Sequence, residues 1–284
     1  MYEFFAHLDR RWIFLLMLLA VAVPLLQGVR FPEEPSDMVR NVYAAMDESS
    51  RGSLVLMAFD YDPASQGELQ PMAAAFTRHA ALRGHRMIFL TLWPQGVPML
   101  RRNIDILKTE FPDYVYGEDY VNLGYRPGAE GVIKVVVSDL KELYASDVSG
   151  TSVSQLPLTR DLKNIQQVDL LVNISAGTPG AKEWVQYAAT PYRIPMVAGT
   201  TGVGAPALYP YIPQQLVGVL GAIKAAAEYE QLLIGGYPVL AENIQAQEGL
   251  KRMGPQLVAH LLMIVLIIAG NIVYFAGRRR GVTR

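Results

Sequence analysis

The 284-residue sequence contains no cysteine, which excludes a disulfide framework, a thiolate nucleophile and zinc or iron–sulfur sites of the cysteine type. Histidine is scarce too, with four in all. His7 precedes the first apolar run, His79 falls late in a helical stretch, His85 opens a strand at the edge away from any crevice, and His260 sits in the last apolar run. None is placed to activate a hydroxyl, so a histidine-dependent triad is not expected. Charged residues make up only 18% of the chain and the net charge is -1, which provides no field to gather nucleic acid. Neither a GxGxxG after a strand nor a GxxxxGK[ST] is present, so dinucleotide and P-loop readings lose their usual warrant. No cofactor is expected.

What the chain has is apolar length at both ends. Trp12 to Val29 carries no charge and follows Arg10 and Arg11; at about 1.5 Å per residue it nearly matches a hydrocarbon core. No small-x-small cleavage site stands before Arg30, which favours an uncleaved anchor over a signal peptide. Leu257 to Ala276 is a second such run, with Lys251 and Arg252 before it and Arg278, Arg279, Arg280 and Arg284 after it. The basic outer flanks predict both termini in the cytoplasm and the intervening domain outside it. The expected organisation is a tail (1–11), a span (12–29), a connector helix (30–50), an α/β domain (51–235), a linker (236–256), a span (257–276) and a basic tail (277–284). In the connector, Ser36 can cap a helix bearing Met38, Val39, Val42, Tyr43 and Met46 at helical spacing.

Between the spans, apolar runs alternate with helical stretches. Leu54 to Phe59 is unbroken, as a strand covered on both faces requires, and ends in Asp60 and Asp62. Further strands are expected at His85 to Leu92, Asp119 to Gly124, Asp169 to Ile174 and Ile194 to Ala198. Helices are expected at Glu68 to Leu82, Gln95 to Phe111, Gly128 to Tyr144, Leu162 to Gln167, Ala181 to Ala189 and Pro213 to Ile234, with a surface excursion from Ala145 to Pro157. Such alternation predicts right-handed crossovers and a doubly wound, mostly parallel five-stranded sheet, flavodoxin-like or Rossmann-like. Ligand crevices of open α/β sheets lie at the carboxyl ends of the strands.

Asp60 and Asp62 fall at that edge. Two carboxylates there can hold a hard cation such as Mg²⁺ or act as acid and base; alternatively Asp62 starts the turn before Pro63 while Asp60 accepts backbone N–H bonds. The metal is left unknown. The loops Trp93-Pro94-Gln95-Gly96, Tyr125-Arg126-Pro127-Gly128, Ser175-Ala176-Gly177-Thr178 and Gly199-Thr200-Thr201-Gly202 open on the same edge. Their N–H groups and hydroxyls, on Ser175, Thr178, Thr200 and Thr201, could cradle an anion, with Trp93 alongside and Arg126 adding a charge. In the stretch read as the final helix of the domain, Gly218, Ala222 and Ala226 recur every four residues and could pack on the sheet or on another subunit. In the last span, His260 and Asn271 are eleven residues apart and share a face, with Gly270 beside them. Polar groups in lipid seek a protein partner.

The phrases FDYDP, LTLWPQG, DYVNLGYRPG, LYPYIP and QLVGVLGAIKAAAEYE resemble those of a family of bacterial membrane-anchored proteins. The resemblance implies a bacterial source and an anchored α/β domain, and transfers no catalytic residue, cofactor or substrate. The expected function is a non-enzymatic subunit or scaffold of a membrane assembly, a homo-oligomer or a partner of other membrane subunits. The alternatives are an extracytoplasmic ligand-binding or sensing domain and a metal-dependent enzyme centred on Asp60 and Asp62.

Overall fold

The computed structural model describes residues 9–279, which divide into two compact units. Glu33–Gly249 forms the α/β domain; the other unit joins the two chain ends, up to Pro32 and from Leu250.

Helix α1 (Arg10–Gln27) belongs to the terminal unit, and the α/β domain opens with the connector helix α2 (Asp37–Asp47). Then follow β1 (Leu54–Asp60), α3 (Gln66–Leu82), β2 (Arg86–Thr91), α4 (Gly96–Glu110), β3 (Tyr120–Tyr125), α5 (Glu130–Val136), α6 (Leu140–Leu143) and β4 (Leu170–Ser175). After β4 come α7 (Ala181–Trp184), which continues through a π-helical turn at Val185–Ala189, then β5 (Met196–Thr200), β6 (Gly218–Gly221), α8 (Ala222–Gly236) and α9 (Glu248–Arg279).

All six strands are parallel, in the order β3-β2-β1-β4-β5-β6. That is the order of a Rossmann-type doubly wound sheet, with its switch point between β1 and β4. Helices α2, α3, α4 and α8 associate on one face of the sheet, and α5, α6 and α7 on the other. Alternation along β1 explains how both faces fill: Val55, Met57 and Phe59 point one way, and Leu54, Leu56 and Ala58 point into the cluster beneath α5 and α7 with Val132, Ile133 and Trp184. On the first face the Phe59 and Phe89 rings stack at 5.6 Å.

The sheet has six strands rather than the expected five, because the stretch Pro213 to Ile234 is not one helix. Gly218–Gly221 pairs with β5 through Val197↔Gly218 and Thr200↔Gly221, and only then does α8 begin. Two glycines weaken a helix there, and the open edge of β5 provides backbone partners that a helix could not use. Gly218 also lies against α2, where an added Cβ would stand 2.8 Å from Val42 Cγ2. Ala222, at φ 61°, makes the turn from strand to helix. Gly218 and Ala222 therefore do not share a helix face, and the four-residue stripe expected there does not exist.

Smaller departures have local causes. The stretch Gly128 to Tyr144 is two short helices, broken where Asp139 caps α6 by accepting from the Lys141 and Glu142 N–H groups. Ser36 does not cap α2 with its side chain; its hydroxyl donates to Glu228 Oε2 on α8 (2.7 Å) and ties the connector to the domain.

In the other unit, α1 ends at Gly28, whose φ of 62° suits glycine. Less exposed positions recur at three- and four-residue spacing on both helices: half-covered Ile13, Met17 and Ala20 with buried Pro24 on α1, and half-covered Ala259, Leu262, Leu266, Ala269, Val273 and Ala276 on α9. Within this unit, Gly254 approaches Val29 so tightly that an added Cβ would meet the Val29 carbonyl oxygen at 2.0 Å. Both helices are long and apolar enough to cross a membrane.

Candidate functional site

Strand β1 runs one residue further than its apolar stretch, and period-two alternation then turns Asp60 inward, onto the face that holds Leu54, Leu56 and Ala58. The same alternation on β4 places Asn173 and Ser175 on the face of Leu171, with Asp60 in register with Ser175. The Asp60 carboxylate is fully buried. It accepts from the Leu92 N–H at Oδ1 (2.6 Å) and from Asn173 Nδ2 (2.7 Å) and Trp184 Nε1 (2.9 Å) at Oδ2. Burial pushes its pKa up to about 7, against the pull of those three donors, which favour the ionised form. The group thus joins β1, the end of β2, β4 and α7 through one side chain.

Asp62 does something else. It is half-buried, and its Oδ1 accepts from the Ser65 N–H (2.9 Å) in the turn that leads into α3. The two aspartates do not face one another as a ligand pair. Among the described residues no group of three or more His, Asp or Glu is placed to hold a metal ion.

The strand-end loops are bonded to each other across the switch point. Trp93 Nε1 donates to the Pro179 carbonyl (2.7 Å), so the loop after β2 reaches the loop after β4 over the end of β1. The Ala176 N–H donates to the Asp60 carbonyl (3.1 Å) beneath it. Ser175 Oγ accepts from the Ala181 N–H (2.9 Å), and Thr200 Oγ1 donates to the Ser175 carbonyl (3.0 Å). Thr201 Oγ1 accepts from the Gly204 N–H (3.3 Å), and Glu68 Oε2 accepts from the Gly202 N–H (2.9 Å). Thr178 is exposed on the same loop as Pro179. Arg126 donates to the Tyr125 and Ser146 carbonyls (3.1 Å each), and its guanidinium lies 5.1 Å from the centre of the Tyr144 ring. Its charge is directed to its own loop and to the segment 144–146.

Two loop glycines are explained by packing rather than by an anion. A Cβ at Gly96 would stand 2.2 Å from Thr91 Oγ1 and 2.3 Å from the Phe59 carbonyl, and one at Gly180 would stand 2.3 Å from the Gly177 carbonyl. A concavity of about 500 Å³ lies instead near the opposite edge of the sheet, between the ends of α3 and α4, lined by Arg51, Arg83, Phe111, Asp113 and Tyr114 among others. Among the described residues, Tyr144 Oη and Asn173 Oδ1 are two of five buried polar side-chain atoms that make no hydrogen bond.

A second buried polar cluster lies among the helices of the first face. His79, wholly buried on α3, is bonded through Nδ1 to Tyr229 Oη on α8 (2.6 Å) and through Nε2 to Asp47 Oδ1 at the end of α2 (3.1 Å). Tyr237 Oη donates to the same Asp47 oxygen (2.7 Å), and the Tyr43 ring packs at 4.6 Å from the imidazole. Burial lowers the His79 pKa to about 4, although Asp47 pulls the other way. This cluster fastens three helices together at depth. Its only sequence signal is a histidine amid the apolar and small residues of Met72 to Leu82.

No family model matches the chain, and no curated protein matches it. Among solved structures, that of levodione reductase aligns with 75% of this chain and 92% of its own, at 13% identity and a TM-score of 0.27. A likeness of that size adds nothing to the strand order.

Proposed function

We propose that the protein is a membrane-anchored, non-enzymatic α/β domain serving as a subunit or scaffold of a bacterial inner-membrane assembly. The observation that carries this reading is on α9: His260 and Asn271, about 20° apart around the helix, are both exposed, on the side away from its half-covered stripe. Polar side chains in a span of this kind need a protein partner, since acyl chains offer neither donors nor acceptors. Two further observations support it. The 18-residue α1 and the 32-residue α9 have the length and apolar character of spans, and the strand-end groups are largely bonded to one another across the switch point. In this reading Arg10 and Arg11 lie on the cytoplasmic side with Arg278 and Arg279, and the domain lies outside.

Topology tests the placement. Reporter fusions after Arg284 and within the surface loop 145–157 should report opposite sides, the former cytoplasmic. Two fusions reporting the same side would overturn the two-anchor arrangement and the function built on it.

A further inference from the structure

We propose that α9 pairs with α9 of a second copy of this chain, as parallel helices, along a seam of His260, Ile264, Ile267, Asn271 and Tyr274. The inference rests on the membrane-assembly reading above and names the partner. These five positions are all exposed and recur at intervals of four, three, four and three residues, the spacing of a two-helix seam. At about 100° per residue they lie on roughly the opposite side of the helix from the covered stripe of Ala259, Leu262, Leu266, Ala269, Val273 and Ala276. The seam is therefore free of the chain's own packing.

Its chemistry selects a second copy. Two copies inserted with the same topology present their α9 helices in parallel, so across a twofold axis each seam residue meets its own counterpart. A group placed there must complement itself. An amide does, having both N–H donors and a carbonyl acceptor, and an imidazole with one donating and one accepting nitrogen does too. Asn271 Nδ2 donates to the Ile267 carbonyl of its own helix (2.8 Å), which leaves its second N–H and Oδ1 for the counterpart amide. Asn271 and Ile264 occupy equivalent positions seven residues apart, and a single asparagine at such a position fixes register in paired helices. The other outward positions, among them Met263, Val265, Ile268 and Ile272, are apolar and suit acyl chains.

The absence of cysteine makes the test direct, because each introduced thiol is the only one in the full-length chain. Ile267→Cys and Tyr274→Cys, oxidised mildly in native membranes, should yield several-fold more disulfide-linked dimer than Val265→Cys and Ile272→Cys. Adding Asn271→Val to Ile267→Cys should weaken the pairing equilibrium by about three- to thirtyfold, the range for one interhelical polar contact. Equal yields at all four positions, or the highest yields off the seam, would overturn the inference. If no self-linked dimer forms but the chain is isolated in stoichiometric complex with a different protein, the second-copy inference fails and the subunit reading stands. A lone monomer in the membrane overturns both.

Discussion

Asp60→Ala is expected to destabilise the α/β domain by about 4 kcal/mol, the largest effect of any single substitution at the strand-end edge. It strands three buried donors at once: the Leu92 N–H, Asn173 Nδ2 and Trp184 Nε1. Each buried donor left without a partner costs about 1–3 kcal/mol, and the small cavity left by the carboxylate lets the site relax only in part. Asp62→Ala removes a single half-exposed turn bond and should cost about 1 kcal/mol or less. Denaturant unfolding of the detergent-solubilised chain measures both. Equal, small losses would mean that Asp60 is not the junction of the β1, β2, β4 and α7 contacts.

The second large effect appears only as a function of pH, because two buried groups titrate in opposition. The folded-state pKa of Asp60 is raised to about 7, so its contribution is fully present below the unfolded value near 3.8 and is lost as pH rises toward 7. Across that window the loss is about 4 kcal/mol. His79 is lowered to about 4 from 6.5, so its contribution is fully present above 6.5 and is lost as pH falls toward 4, by about 3 kcal/mol. In the wild type the two slopes largely offset each other. Asp60→Asn should therefore be more costly at pH 4.5 than at pH 7.5 by about 3 kcal/mol, and His79→Gln should show the reverse, by about 2 kcal/mol. Asp147 and Glu228, whose pKa values are held low by the donors around them, titrate alike in wild type and variants and cancel in the difference. Variant and wild-type curves that run parallel from pH 4.5 to 7.5 would show that neither group is titrating where its burial places it.

The alternation of apolar runs and helical stretches was enough to read a parallel doubly wound sheet, since each of the first five strands is dominated by apolar residues. β6 was not readable. Its four residues, Gly-Val-Leu-Gly, have neither length nor β-branched weight, and what makes them a strand is the free edge of β5 and the close approach of α2 at Gly218. At the site, the aspartates were visible but not the direction of Asp60. That depended on the strand continuing by one residue, and a one-residue change in a period of two moves a side chain from a crevice to a core. Its partners come from positions 92, 173 and 184, a separation no local pattern reveals. The role of His79 is hidden for the same reason, because Asp47 and Tyr229 reach it from two other helices. The polar face of α9 was readable because it needs only the helical period. What the structure adds is that the covered stripe of α9 lies on the other side of the helix.

The central claim, that this chain works as part of a membrane assembly, is tested most directly by the mass of the particle released when native membranes are extracted into lipid nanodiscs and measured intact. The account predicts a mass of at least two protein chains in the wild type, and a larger share of smaller particles with Asn271→Val. A wild-type particle with the mass of one chain and no companion would contradict it.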